Sequence, residues 1–176
     1  MRRKRPEAHI GADVNAREIR VDDLQGQEIA FFLAEHVAEM RAVTPLESKH
    51  ALDLDGLRQP QVTFWTVHQD GELVGCGAIK QIEPGHGEIK SMRVARSRKR
   101  TGIAGMLLNH MIAEAGAMSL NRLSLETGSS EHFLPARRLY ERFGFVYCEP
   151  FGDYKADPNS VHMTRAVGAL DHGSPR

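Results

Sequence analysis

Cysteine is nearly absent from this chain. Its 176 residues include only Cys76 and Cys148. Neither sits in a paired spacing, which excludes a disulfide scaffold and a Cys-rich structural zinc site. An excess of one charge is also lacking, since 23 Lys and Arg balance 23 Asp and Glu. The overall balance therefore does not point to a nucleic-acid or anionic-membrane binder. No apolar run approaches the ~18 residues of a membrane span. The start Arg2-Arg3-Lys4-Arg5 is basic, but no apolar stretch follows it. A secretory signal is not expected, and a reducing cytoplasm is the expected setting. What is present is an ordinary globular composition, 41% hydrophobic and 26% charged, sufficient to bury a core.

Residues 1–16 show no hydrophobic period and read as a mobile basic arm, and 168–176 as a frayed tail. One domain is expected over 17–167. Arg17 to Val21 is a strand candidate. Leu24, Ile29, Phe32, Leu33, Val37 and Met40 recur at helical spacing and predict a helix over about 24–42. Glu47 to Asp53 reads as a short helix that Gly56 would stop. Val62 to His68 and Glu72 to Ile82 flank Asp70-Gly71, a hairpin signal. Pro84-Gly85-His86-Gly87 predicts a second turn, and Glu88 to Val94 a third strand. Ile103, Leu107, Leu108, Met111 and Ala115 define an amphipathic helix over about 102–118. Arg122 to Glu126 is a strand. Pro135 opens a further helix, with Ala136, Leu139, Tyr140 and Phe143 inward and Gly144 as its cap. Phe145 to Cys148 and Ser160 to Ala166 complete the sheet. The expected class is α+β: a mixed, largely antiparallel sheet of about six or seven strands flanked by about four helices.

The segment Arg98-Lys99-Arg100-Thr101-Gly102-Ile103-Ala104-Gly105 joins a strand to the long helix. Helix N-terminal amides are unpaired and lie at the positive end of the dipole. Glycine admits close approach to them, and basic side chains complete a phosphate site. A solvated basic loop before an ordinary helix is the other reading. A P-loop and a G-x-G-x-x-G fingerprint are both absent, which argues against an NTPase or an NAD enzyme.

Glu88-Ile89-Lys90-Ser91-Met92-Arg93-Val94, Lys99-x-x-Gly102-x-Ala104 and Ala136-Arg137-Arg138-Leu139-Tyr140-Glu141-Arg142-Phe143-Gly144-Phe145 together resemble the GCN5-related N-acetyltransferase (GNAT) family in order and spacing. Lys99 replaces the family's Gln or Arg, and Phe133 replaces an Asn common before the second helix. The tail from Pro150 to Val161, Tyr154 included, and the run His50 to Leu57 resemble a bacterial subgroup of small acetyltransferases. The resemblance implies acetyl-CoA as co-substrate, with the pyrophosphate on the amides of Arg100, Thr101, Gly102, Ile103, Ala104 and Gly105. It also implies backbone groups of Met92 and Val94 for the pantetheine arm, and Arg98, Lys99 or Arg100 for the 3′-phosphate.

Acetyl transfer to an amine requires a proton acceptor for the ammonium and a proton donor for the leaving thiolate. Glu88 stands where family members with a carboxylate base carry it; a turn-flanking surface glutamate is the other reading. Tyr140 falls where the family often has a tyrosine near the thiol, and a core tyrosine is the other reading. Cys76 and Cys148 read as ordinary strand residues, and Phe64 and Trp65 as core. Nine histidines are scattered without metal-ligand spacing, so no metal is expected. Glu47, Ser48, His50 and Asp53 are candidates to line an acceptor pocket, with a helix cap at Ser48 as the alternative. The expected activity is direct acetyl transfer to a small primary amine or amino-acid-like acceptor, without nucleic-acid or membrane partners; a protein Nα or lysine acceptor and a homodimer are left open. A non-catalytic CoA- or nucleotide-binding module, and a small RNA-binding protein using the arm and Arg93–Arg100, are the alternatives.

Overall fold

The computed structural model describes residues 16–43 and 53–168. The expected arm, the tail beyond 168, and Glu47, Ser48 and His50 lie outside the described residues. Seven strands form one sheet in the order β1-β2-β3-β4-β5-β7-β6. They are β1 (Arg17–Val21), β2 (Val62–Gln69), β3 (Glu72–Glu83), β4 (His86–Val94), β5 (Arg122–Gly128), β6 (Val146–Cys148) and β7 (Ser160–Ala166). Four helices flank it: α1 (Gln27–Val43), α2 (Leu54–Leu57), α3 (Ile103–Ala117) and α4 (Leu134–Arg142). This is the expected α+β architecture.

The central strands are covered on both faces, which explains their near-continuous apolar runs. Neighbouring residues of β2 serve opposite layers. Phe64 packs with Leu24, Ile29 and Leu33 on the α1 face, and Trp65 joins Leu107 and Met111 on the α3 face.

Local chemistry moves several boundaries. Leu24 is buried, but it stands at φ 61° ahead of α1. The Asp22 carboxylate accepts its N–H at 2.7 Å, an Asx turn that delays the helix to Gln27. Asp53 caps α2 by accepting from the Gly56 amide at 2.8 Å. Gly56 therefore lies inside α2; the short helix expected over 47–53 lies, Asp53 apart, outside the described residues. Asp70 and Gly71 both have positive φ, as a tight hairpin turn requires. The second turn is shorter than expected, because His86 and Gly87 already pair with Glu83 and Gln81. Gly85 carries it alone at φ 76°, and its carbonyl accepts from the amides of Asn121 and Arg122. At the end of α4, Phe145 N–H donates to Tyr140 O across Gly144, closing the helix as Schellman geometry requires.

All pairings are antiparallel except β4 with β5. That pairing runs only from His86 opposite Arg122 to Ile89 opposite Leu125. Beyond it, Ser91 and Met92 together face Gly77 of β3, and Ser91 has φ 53°. This bulge bends β4, while β5 continues alongside β7 to Gly128. The two central strands thus part company halfway, leaving an opening that α3 and α4 overlook.

Candidate active site

At one end of the opening the chain builds an anion cradle from backbone. A single 3₁₀ turn, Arg96–Arg98, follows β4. Arg100 then takes φ 62° and Gly102 φ 84°, with Gly102 as the N-cap of α3. Met106 N–H is bonded to Gly102 O, so the amides of Ile103, Ala104 and Gly105 precede that bond at the positive helix end. A Cβ on Gly102 would meet only the Arg17 guanidinium within 4 Å; the approach is otherwise open. Lys99, Arg100 and Thr101 are exposed. Arg98 is engaged by Glu72 at 3.0 Å, which leaves Lys99 and Arg100 as the loop's cations for a phosphate. Arg17 is a cation the sequence reading missed. It comes from β1, with its Nε donating to Gln69 Oε1 at 3.1 Å. This donor set fits a diphosphate ester.

Where the strands part, Tyr140 of α4 reaches in, its hydroxyl 3.7 Å from Met92 Sδ. Burial, with the Glu126 carboxylate adding to it, pushes the phenol up to about 12. It therefore stays protonated and able to donate at neutral pH. Val94, two residues on from Met92, ends the strand beside the cradle. Phe133, in the place of the common Asn, lies over the end of β5, where a Cβ on Gly128 would collide with its ring at 2.0 Å. Arg137, not anticipated as buried, donates to the carbonyls of Gly128 and Ser130 at 2.7 and 2.8 Å.

Glu88 is not a surface glutamate: it is 5% exposed. Its Oε1 accepts from Lys90 Nζ at 2.9 Å and from Tyr154 OH at 2.5 Å. Lys90 Nζ also donates to the Tyr154 oxygen at 3.1 Å. Burial, then the charge and hydrogen bond of Glu88, push the Tyr154 phenol far above its usual range. Beside this cluster His86 bridges Glu83 at 3.1 Å and Ser124 at 2.7 Å, and Ser124 meets Thr164 at 2.9 Å. Phe151 meets Tyr154 and His162 edge-on, and Tyr154 and His162 are tilted against each other. Among these residues the sequence reading had singled out Glu88 alone. Tyr154 lies in the irregular connection between β6 and β7, where no periodicity marks it; only its place in the subgroup-like stretch hinted at it.

Cys76 is buried, its thiol pushed up to about 12 chiefly by burial, and Cys148 ends β6. Neither offers a thiolate to the opening. Arg93 corrects the RNA-binding alternative. It is 7% exposed, donates to the Phe32 carbonyl and pairs with Glu35 and Glu39 at 3.2 and 3.3 Å. It ties α1 to β4 and is no part of a solvent-facing basic patch. Among the described residues no three His, Cys, Asp or Glu side chains converge as a metal site, and no helix is long and apolar enough to cross a membrane.

A strand-split α+β sheet with an amide cradle at its opening is the layout expected of an acyl-CoA-dependent transferase. The profile of the Acetyltransferase (GNAT) family matches residues 29–145, and the chain belongs to that family. It is 52% identical over 149 residues to an uncharacterized N-acetyltransferase of Bacillus subtilis, YsnE, covering 85% of this chain and 99% of that protein. It is 44% identical to an uncharacterized N-acetyltransferase of Escherichia coli, YedL, covering 83% and 92%. A solved structure of a proposed acyl-CoA N-acyltransferase from Klebsiella pneumoniae superposes with TM-score 0.72 at 27% identity, covering 86% of this chain and 98% of that one. The protein is an N-acetyltransferase, and its family membership implies acetyl-CoA as co-substrate.

Proposed function

We propose that the protein moves an acetyl group from acetyl-CoA directly to the primary amine of a small, amino-acid-like acceptor. The observation that carries this reading is the buried Glu88 carboxylate on β4, six residues before Val94 and on the strand that leads to the amide cradle. Acetyl-CoA supplies the acetyl group as a thioester. The amides of Arg100 to Gly105 and the side chains of Lys99 and Arg17 hold its phosphates, and Met92 and Val94 offer backbone groups to the pantetheine arm. Glu88 takes the ammonium proton, directly or through a water. Lys90 and Tyr154 occupy Oε1 and fix the carboxylate, so that its other oxygen faces the acceptor. Tyr140 donates a proton to the departing sulfur. No covalent enzyme intermediate is needed, in keeping with the placement of both cysteines. Glu47, Ser48 and His50 belong to the chain segment between α1 and α2 and are proposed to border the acceptor. The domain spans 17–167.

The test is a screen of primary amines with acetyl-CoA and a thiol reagent, run in parallel on Glu88→Gln. General-base catalysis is typically worth ~10²–10⁴-fold, so kcat/KM for the acceptor is expected to fall at least ~10²-fold. A near-wild-type rate in a folded Glu88→Gln variant removes the base assignment.

A further inference from the structure

A groove of about 300 Å³ runs between α1 and α2. Its walls are Leu33, Ala34 and Val37 from α1 and Leu54 and Leu57 from α2, and its floor is Ser91 of β4. That volume is at the small end of ligand sites, which typically span ~300–1,000 Å³. It suits one side chain and not an extended substrate.

The floor connects the groove to the chemistry. Ser91 is the bulged residue between Lys90, which touches Glu88, and Met92, which touches Tyr140. An amine held above this stretch of β4 therefore has the groove on the α1 side within reach of its own substituent. The walls are pre-set, because Arg93 on β4 is bonded to the Phe32 carbonyl and to Glu35 and Glu39 of α1.

We infer that the groove receives an apolar side chain of the acceptor, so that the substrate class is a neutral, hydrophobic amino acid or a close amine relative of one. This deepens the small-amine reading and rests on it. The polar residues of the rim agree. Arg41 stands at the groove as a cation for a carboxylate. Asp53, the rim's carboxylate, already accepts the Gly56 amide. His36, whose imidazole burial and the nearby Arg93 hold down to about 4, is neutral at physiological pH. Among the described lining residues a second ammonium, as in lysine or a polyamine, would meet mainly apolar side chains and give up its hydration to them.

The experiment offers the protein acetyl-CoA with L-leucine, L-phenylalanine, L-lysine or spermidine and follows CoA release. Leucine or phenylalanine is expected to show kcat/KM at least ~10-fold above lysine and spermidine, the scale on which an apolar pocket discriminates. Ala34→Trp, on an exposed position of α1, fills the groove. It should raise KM for the preferred amino acid by ~10-fold or more with CoA affinity unchanged. Preference for lysine or spermidine, or an unchanged KM in folded Ala34→Trp, overturns the groove assignment while the primary-amine reading stands. If no amine of the set is acetylated by protein that binds CoA, both fall.

Discussion

The two ends of the opening between β4 and β5 are built from different materials. The cradle end is backbone: consecutive amides at the start of α3, admitted by Gly102 at φ 84° and surrounded by exposed cations. The proton end is side chain: Glu88, Lys90, Tyr154, His86 and Ser124, contributed by β4, β5 and the β6–β7 connection, mostly buried and bonded to one another. In the proposed function the first end recognises a part common to every CoA ester, and the second sets the chemistry and the acceptor. The difference predicts that binding of the co-substrate and transfer of its acetyl group are separable by mutation.

The sharpest way to break this division is Gly102→Val. A β-branched residue at that φ is strained and puts its side chain over the amides. Each lost charge-assisted bond is worth ~1.5–3 kcal/mol, so CoA affinity should drop at least ~10–100-fold by calorimetry, with circular dichroism unchanged. Next in size are the two phenols. Tyr154→Phe leaves Lys90 alone on Oε1 of Glu88, and in the proposed function Tyr140→Phe removes the donor to sulfur. Each should lower kcat by about tenfold or more with CoA affinity kept, as for groups used mainly in the transition state. A Tyr154→Phe effect that persists undiminished in the Glu88→Gln background would show that Tyr154 does not act through Glu88.

Much of this organisation was legible in the sequence, and the parts that were not share a cause. The order of elements followed from periodicity and from Asp70-Gly71, because each signal is local. The cradle was legible for the same reason, since its residues run consecutively from 98 to 105. Lys90 and Tyr154 are 64 residues apart, and Arg17 and Gly102 further still, so only the sheet brings them together. The start of α1 shifted because the Asp22 side chain satisfies a backbone amide that a hydrophobic pattern does not register, and the α2 start is set by the Asp53 cap in the same way.

Smaller effects sharpen the cradle. Lys99→Ala and Arg17→Ala should each weaken CoA by ~10-fold or somewhat more at low salt, with the loss shrinking as salt screens the wild-type contacts. Arg98→Ala, whose guanidinium is held by Glu72, should change CoA affinity about twofold at most, the scale of a rim charge. If Arg98→Ala costs as much as Lys99→Ala, the assignment of loop cations is wrong. A separate effect is on stability. His36 is held down to about 4 by burial and Arg93, so it is neutral in the fold, whereas the unfolded chain protonates near 6.5. The native state therefore loses stability as pH falls from about 6.5 toward 4, by roughly 1–3 kcal/mol. The urea midpoint of wild type should fall relative to that of His36→Gln as pH drops through that window.

The division of labour is tested most directly by titrating CoA into Glu88→Gln protein whose acetyl transfer has already been measured. The account predicts an affinity within about twofold of wild type alongside a transfer rate reduced by at least ~10²-fold. A loss of CoA affinity that parallels the loss of rate would contradict it, because Glu88 would then belong to the co-substrate's site and not to the acceptor's proton.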